Sequence, residues 1–63
     1  MKDLKQKRIN AKMTQFELAK AVGVSINTIV KWEAEISKPS EENYRKLVEA
    51  LNVRAIKIKG GKK

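Results

Sequence analysis

The stretch SINTIVKWE, residues 25–33, holds the side chains best suited to recognising another molecule. Ile29 and Trp32 stand three apart and form an inward-facing pair on a helix. That phase turns Ile26, Asn27, Val30 and Lys31 outward, with Ser25 and Thr28 at the leading end. Asn27 carries an amide that donates and accepts at once, and Lys31 adds a cation one turn later. Ile26 and Val30 are apolar at positions facing water. Single exposed apolar residues are ordinary, but two beside a hydrogen-bonding row favour contact with a partner. This is the chemistry of recognition, not of bond-making. The chain has no His and no Cys, no serine in a nucleophile motif and no glycine-rich phosphate loop. Glu33 with Glu35, or Glu41 with Glu42, could form an acid pair, but both read as helix-end charges. The chain is therefore not expected to be an enzyme, and no cofactor, metal or small-molecule ligand is expected.

The 63 residues make one small domain with a thin core. Without Cys there is neither a disulfide nor a thiolate metal site, which suits a reducing compartment. The apolar runs are too short to span a bilayer, and the N-terminus shows no signal-peptide pattern. Fifteen basic and seven acidic residues leave a net charge of +8. Residues 1–12 carry +4 and residues 54–63 carry +5, against −1 for residues 13–53. Two positive ends about a near-neutral centre suit a polyanion, with nucleic acid the leading candidate. Solubility alone is the plainer reading of the same charge.

The recognition residues need elements to hold them. A first helix is predicted from Lys2 to about Ala11, with Leu4, Arg8 and Ala11 on one face and Ile9 and Met13 beside them. Thr14-Gln15-Phe16-Glu17 spells a capping box, in which Thr14 and Glu17 satisfy each other's backbone N–H. The second helix runs to Val22, with Leu18, Ala19 and Val22 inward. Gly23 closes it in a left-handed conformation that lacks a Cβ penalty. Ser25 caps a third helix ending near Glu33 or Ala34. Pro39 biases Lys38 out of the helical region, so residues 35–39 form a loop. Ser40 caps a fourth helix, and Glu41 and Glu42 complement its dipole. Tyr44, Leu47, Val48 and Leu51 make its apolar stripe. Trp32 and Tyr44 are expected in the core, and Asn52 is the expected stop. The alternation Ile56-Lys57-Ile58-Lys59 leaves residues 53–59 as either a short fifth helix or an edge strand. The domain is expected over residues 1–59, with a flexible basic tail over 60–63.

Two short helices meeting at Gly23 need a residue free to adopt positive φ, a small residue at their approach, and apolar side chains to lock them. Gly23 meets the first need and Ala19 the second; Leu18, Val22, Val24, Ile29 and Trp32 meet the third. This is helix-turn-helix geometry, whose second helix can enter a DNA major groove. The chain resembles the lambda-repressor/Cro-like (XRE-type) helix-turn-helix family over about residues 2–53. The resemblance rests on MTQFELAKAVGVSINTIVKWE, KPS and LVEALNV, in that order. It implies an all-α, compact bundle of four to five short helices with the helix-turn-helix at helices 2–3. It also implies a regulator, a repressor of a phage or bacterial operator, working in the cytoplasm as a homodimer. Two-fold symmetry would then demand near-palindromic double-stranded DNA with half-sites about 10 bp apart.

From the residues themselves, Asn27 suits an adenine edge. Ile26 and the Thr28 methyl suit thymine methyl groups, and Lys31 suits a guanine or a phosphate. The resemblance marks Ser25, Ile26, Asn27 and Thr28 as base-reading positions, although Ser25 reads more as a cap. Gln15 opens the second helix, where backbone N–H groups and the dipole favour phosphate, and the family places a glutamine there against the DNA backbone. The resemblance puts Asn43 at a phosphate too; Lys12 and Lys38 are further candidates. It also pairs Arg8 with Glu33 as a structural tie.

Two departures from the family stand out. After the third helix the family has Gly and then basic residues, whereas this chain has Glu35, Ile36 and Ser37. A left-handed Glu35 costs about 1–2 kcal/mol, so another loop shape is expected, and the acidic Glu33–Glu35 segment discourages close approach of DNA. The Ile/Lys alternation departs from a standard fifth helix, and an exposed edge strand there would pair with its twin. An antitoxin-like or recombination-directing protein of the same fold, or a protein-interaction module using Ile26 and Val30, are the alternatives.

Overall fold

The computed structural model describes residues 3–60, with side chains described for residues 3–54. Four helices follow in order: α1 (Leu4–Asn10), α2 (Gln15–Val22), α3 (Ile26–Glu33) and α4 (Glu41–Gly60). There is no strand among the described residues, and the architecture is all-α, with α2 and α3 as the helix-turn-helix pair. Each helix sends one branched aliphatic side chain to full burial: Leu4, Leu18, Ile29 and Leu47. Ala11, Met13, Ala19, Val22, Trp32 and Leu51 complete the core, with Val24 and Ala50 packed against it. α2 packs on α3 and α4, and α1 rests on the same two helices. No polar or charged residue is buried among those described, so the core makes no demand for internal hydrogen bonds.

The helix starts are set locally. Thr14 Oγ1 accepts from the Glu17 N–H at 3.0 Å, and Glu17 Oε1 accepts from the Thr14 N–H at 2.8 Å. Ser25 Oγ accepts from the Thr28 N–H at 3.3 Å, and Ser40 Oγ from the Asn43 N–H at 3.2 Å. Each removes one orphan donor from a helix N-terminus.

The first three helices all close through a left-handed residue, and only one of these is glycine. Gly23 has φ 87°, Lys12 φ 60° and Glu35 φ 61°. In each case the next residue's N–H reaches back five positions: Met13 to Arg8 at 3.1 Å, Val24 to Ala19 at 3.0 Å, and Ile36 to Lys31 at 2.9 Å. This is the Schellman closure, which satisfies last-turn carbonyls. The loop after α3 thus takes the left-handed route through Glu35, contrary to the expectation of another shape. The hydrogen bonds from Glu35 N–H to Trp32 at 3.1 Å and from Ile36 N–H to Lys31 offset the steric cost.

The fourth helix also departs from the sequence reading. Asn52 is not its stop, and residues 53–59 are neither a separate fifth helix nor a strand; they continue α4 to Gly60. Ile and Val lower helix propensity by only a few tenths of a kcal/mol, and no Gly or Pro interrupts the run before Gly60. Arg54 moreover anchors α4 beyond Asn52. Its Nη2 donates to the Lys12 carbonyl at 3.3 Å and lies 3.9 Å from Glu17 Oε2. Twenty helical residues span about 30 Å, which accounts for the 39 Å long dimension of a molecule otherwise 18–19 Å across. Tyr44 is 47% exposed and not part of the core. Burial along α4 begins one turn later, at Leu47. α1 starts at Leu4; Lys2 and the 61–63 part of the expected tail lie outside the described residues. Among the described residues, no helix is long and apolar enough to cross a membrane.

Candidate nucleic-acid interface

α3 is held by two buried side chains and presents the rest. Ile29 is fully buried and Trp32 nearly so. Ile26, Asn27, Val30 and Lys31 are exposed, as their phase predicts. Ile26 and Val30 retain 42% and 41% of their surface open to water. At the leading end, the Ser25 and Thr28 hydroxyls lie 3.0 Å apart, and Ser25 Oγ also takes the Thr28 N–H. Ser25 is therefore engaged as a cap, and Thr28 is half-buried beside it.

Three residues far apart in sequence meet behind this surface. Arg8 Nε donates to Glu33 Oε2 at 2.6 Å, and Gln15 Nε2 donates to Glu33 Oε1 at 3.1 Å. Arg8 Nη1 also donates to the Met13 carbonyl at 2.8 Å. The Glu33 carboxylate thus takes a partner on each oxygen, joining α1, the start of α2 and the end of α3. The Arg8 and Glu33 side chains are only 11% and 6% exposed. Glu33 therefore presents little negative field outward, and the acidity expected of the Glu33–Glu35 segment reduces to Glu35 at the surface.

The other candidates occupy the approaches to helices. Lys12 is exposed at the left-handed turn before α2, and Lys38 is exposed in the connection before α4. Asn43 is half-buried in the first turn of α4, with its N–H taken by Ser40. Glu41 and Glu42 in that same turn form exposed i,i+4 pairs with Arg45 and Lys46 at 3.6 and 3.7 Å. Such exposed pairs add little stability.

A family model described as helix-turn-helix matches residues 4–58. The chain belongs to the Cro/C1-like helix-turn-helix family. No curated protein and no solved structure matches it. Membership makes it a DNA-binding helix-turn-helix domain whose partner is double-stranded DNA. In this helix-turn-helix protein α2 and α3 form the motif, and α3 is the helix that can enter a major groove.

Two residues of this domain escaped the sequence reading. Arg54 was one of several C-terminal cations, yet it ties α4 to the turn before α2. No signal within its own segment marks a partner 42 residues away. Phe16 is exposed at the second position of α2. Its signal was legible: it falls outside the apolar phase set by Leu18, Ala19 and Val22.

Proposed function

We propose that this protein is a sequence-specific transcriptional regulator that acts as a repressor by occupying an operator overlapping a promoter. The observation that carries this reading is the exposed face of α3. Ile26, Asn27, Val30 and Lys31 are held outward by Ile29 and Trp32, and the Arg8–Glu33–Gln15 cluster braces that helix against α1 and α2. In the proposed complex Asn27 reads an adenine edge, Lys31 a guanine or phosphate, and Ile26 and Thr28 thymine methyls. Ser25 sets the leading end of α3 at the bases. Gln15, Lys12, Lys38 and Asn43 contact phosphates and fix the register.

One recognition helix spans only a few base pairs, so a homodimer on a near-palindromic site is part of the proposal. The setting is the cytoplasm of a bacterial or phage-infected cell. The domain extends over residues 1–59, with 60–63 as a basic tail. Selection of bound duplexes from a random pool, at a stated salt concentration, tests this reading. A palindromic motif supports the dimeric regulator, and absence of enrichment overturns it. A reporter carrying the selected site then separates a repressor from an antitoxin-like or recombination-directing protein. The apolar character of Ile26 and Val30 is the observation favouring a second reading, a protein-interaction module. That reading requires Ile26→Ala with Asn27→Ala to abolish a protein complex and leave DNA affinity intact.

A further inference from the structure

Two arginines from different helices hold successive backbone carbonyls in the turn between α1 and α2. Arg8 Nη1 donates to the Met13 carbonyl at 2.8 Å from α1. Arg54 Nη2 donates to the Lys12 carbonyl at 3.3 Å from α4. The same Arg54 nitrogen lies 3.9 Å from Glu17 Oε2. Glu17 in turn accepts the Thr14 N–H on its other oxygen at 2.8 Å, closing the capping box of α2. One cation from the far part of α4 thus reaches both ends of the segment 12–17. Lys12 and Gln15, two of the four residues given to DNA phosphates in the operator reading, lie within that segment.

Lys12 needs such a hold. It sits at φ 60°, a conformation that a residue with a Cβ adopts at a cost. Fixing its carbonyl fixes the peptide plane, and with it the direction in which the side chain leaves the backbone. Arg54 is itself occupied between a carbonyl and a carboxylate, so its charge is already directed inward to the turn. Little folding free energy is involved. The Arg54 and Glu17 side chains are 36% and 43% exposed, and exposed pairs add little stability. The consequence of the contact is placement. The run of α4 past Asn52 carries Arg54 to this turn, three residues beyond the buried Leu51.

We infer that Arg54 is a positioning residue for binding the DNA backbone: it holds the Lys12 turn from α4 so that Lys12 meets a phosphate, and touches no phosphate itself. This rests on the operator-binding reading above and adds to it a residue that lies outside the helix-turn-helix.

The test uses the full chain and the duplex selected from the random pool. Affinity is measured across a range of salt concentrations for the wild-type protein, Arg54→Met, Lys12→Gln and the double variant. The contacts removed are exposed, so the variants are expected to fold, and urea unfolding gives the folded fraction of each. Arg54→Met should weaken all sequences alike and make the slope of log K against log[salt] shallower by up to about 1. In the Lys12→Gln background the same substitution should change the slope no further, because the phosphate contact it serves is already gone. A double variant shallower than wild type by about 2 would make Arg54 a phosphate contact in its own right and overturn the inference. An unchanged slope in Arg54→Met also overturns it, whether affinity holds or falls with the folded fraction. So does an unchanged slope in Lys12→Gln, which takes away the contact that Arg54 would position. These three results leave the operator reading standing. Failure to select any duplex overturns that reading, and this inference with it.

Discussion

Arg8 and Glu33, 25 residues apart in sequence, meet at 2.6 Å between Nε and Oε2 and together form the brace between α1 and the recognition helix. Both side chains are nearly enclosed, so this pair is not an ordinary surface ion pair. Removing one member leaves the other charged and poorly solvated, which typically costs about 3–5 kcal/mol. Arg8→Met is therefore expected to destabilise the domain by about 3 kcal/mol, measured by urea unfolding. Arg8→Met with Glu33→Met should recover most of that loss. A single variant as stable as wild type would remove the brace from the account.

The left-handed closures predict gains from glycine. Lys12 and Glu35 hold φ values of 60° and 61°, a region that disfavours side chains bearing a Cβ. Glu35→Gly and Lys12→Gly should each stabilise by about 1 kcal/mol, raising Tm by roughly 4–8 °C in a domain this small. Gly23→Ala should lose a similar amount. A Cβ built at Gly23 meets no atom within 4 Å, so that loss is conformational and not a clash. Thermal unfolding of the three variants checks the set; equal Tm values throughout would contradict it.

Salt dependence counts the proposed phosphate contacts. Among those residues Lys12 and Lys38 are the cations, and Lys31 makes a third where it takes a phosphate, so log K falls against log[salt] with a slope of about −2 to −3 per subunit. Lys12→Gln or Lys38→Gln should flatten the slope by about 1 each and weaken all sequences alike. A change in sequence preference in either variant would move that lysine from the backbone to the bases.

Asn27→Ala should behave in the opposite way. Loss of a bidentate base contact costs about 1–3 kcal/mol and relaxes preference at one position of each half-site. Competition with duplexes varied at single positions reads this directly. Uniform weakening without relaxed preference would argue against base reading by Asn27.

Much of this domain was legible because its signals are short-ranged. Thr14 and Glu17 find each other within one turn, Ser25 and Ser40 cap the helices they precede, and Gly23 takes the positive φ its position requires. The phase of Ile29 and Trp32 likewise turns Ile26, Asn27, Val30 and Lys31 outward, and all four are exposed.

Other features depended on partners distant along the chain. Asn52 looked like a stop because the local pattern changes there, but Arg54 bonds across to Lys12 and α4 runs on to Gly60. Tyr44 kept the apolar phase of Leu47 and Leu51 yet sits one turn before burial begins. Glu35 is the local exception: it adopts a conformation that its residue type opposes, because two short-range backbone hydrogen bonds, to Trp32 and Lys31, favour it. The engagement of Gln15 by Glu33 spans 18 residues and two helices. Caps and periodicity are decided within a turn or two of helix, so the residues alone determined where α2 and α3 begin and end and which face of α3 is open. Only the packed bundle could decide the length of α4 and the joining of Gln15 to the expected Arg8–Glu33 pair, because those contacts exist only once distant segments share a surface.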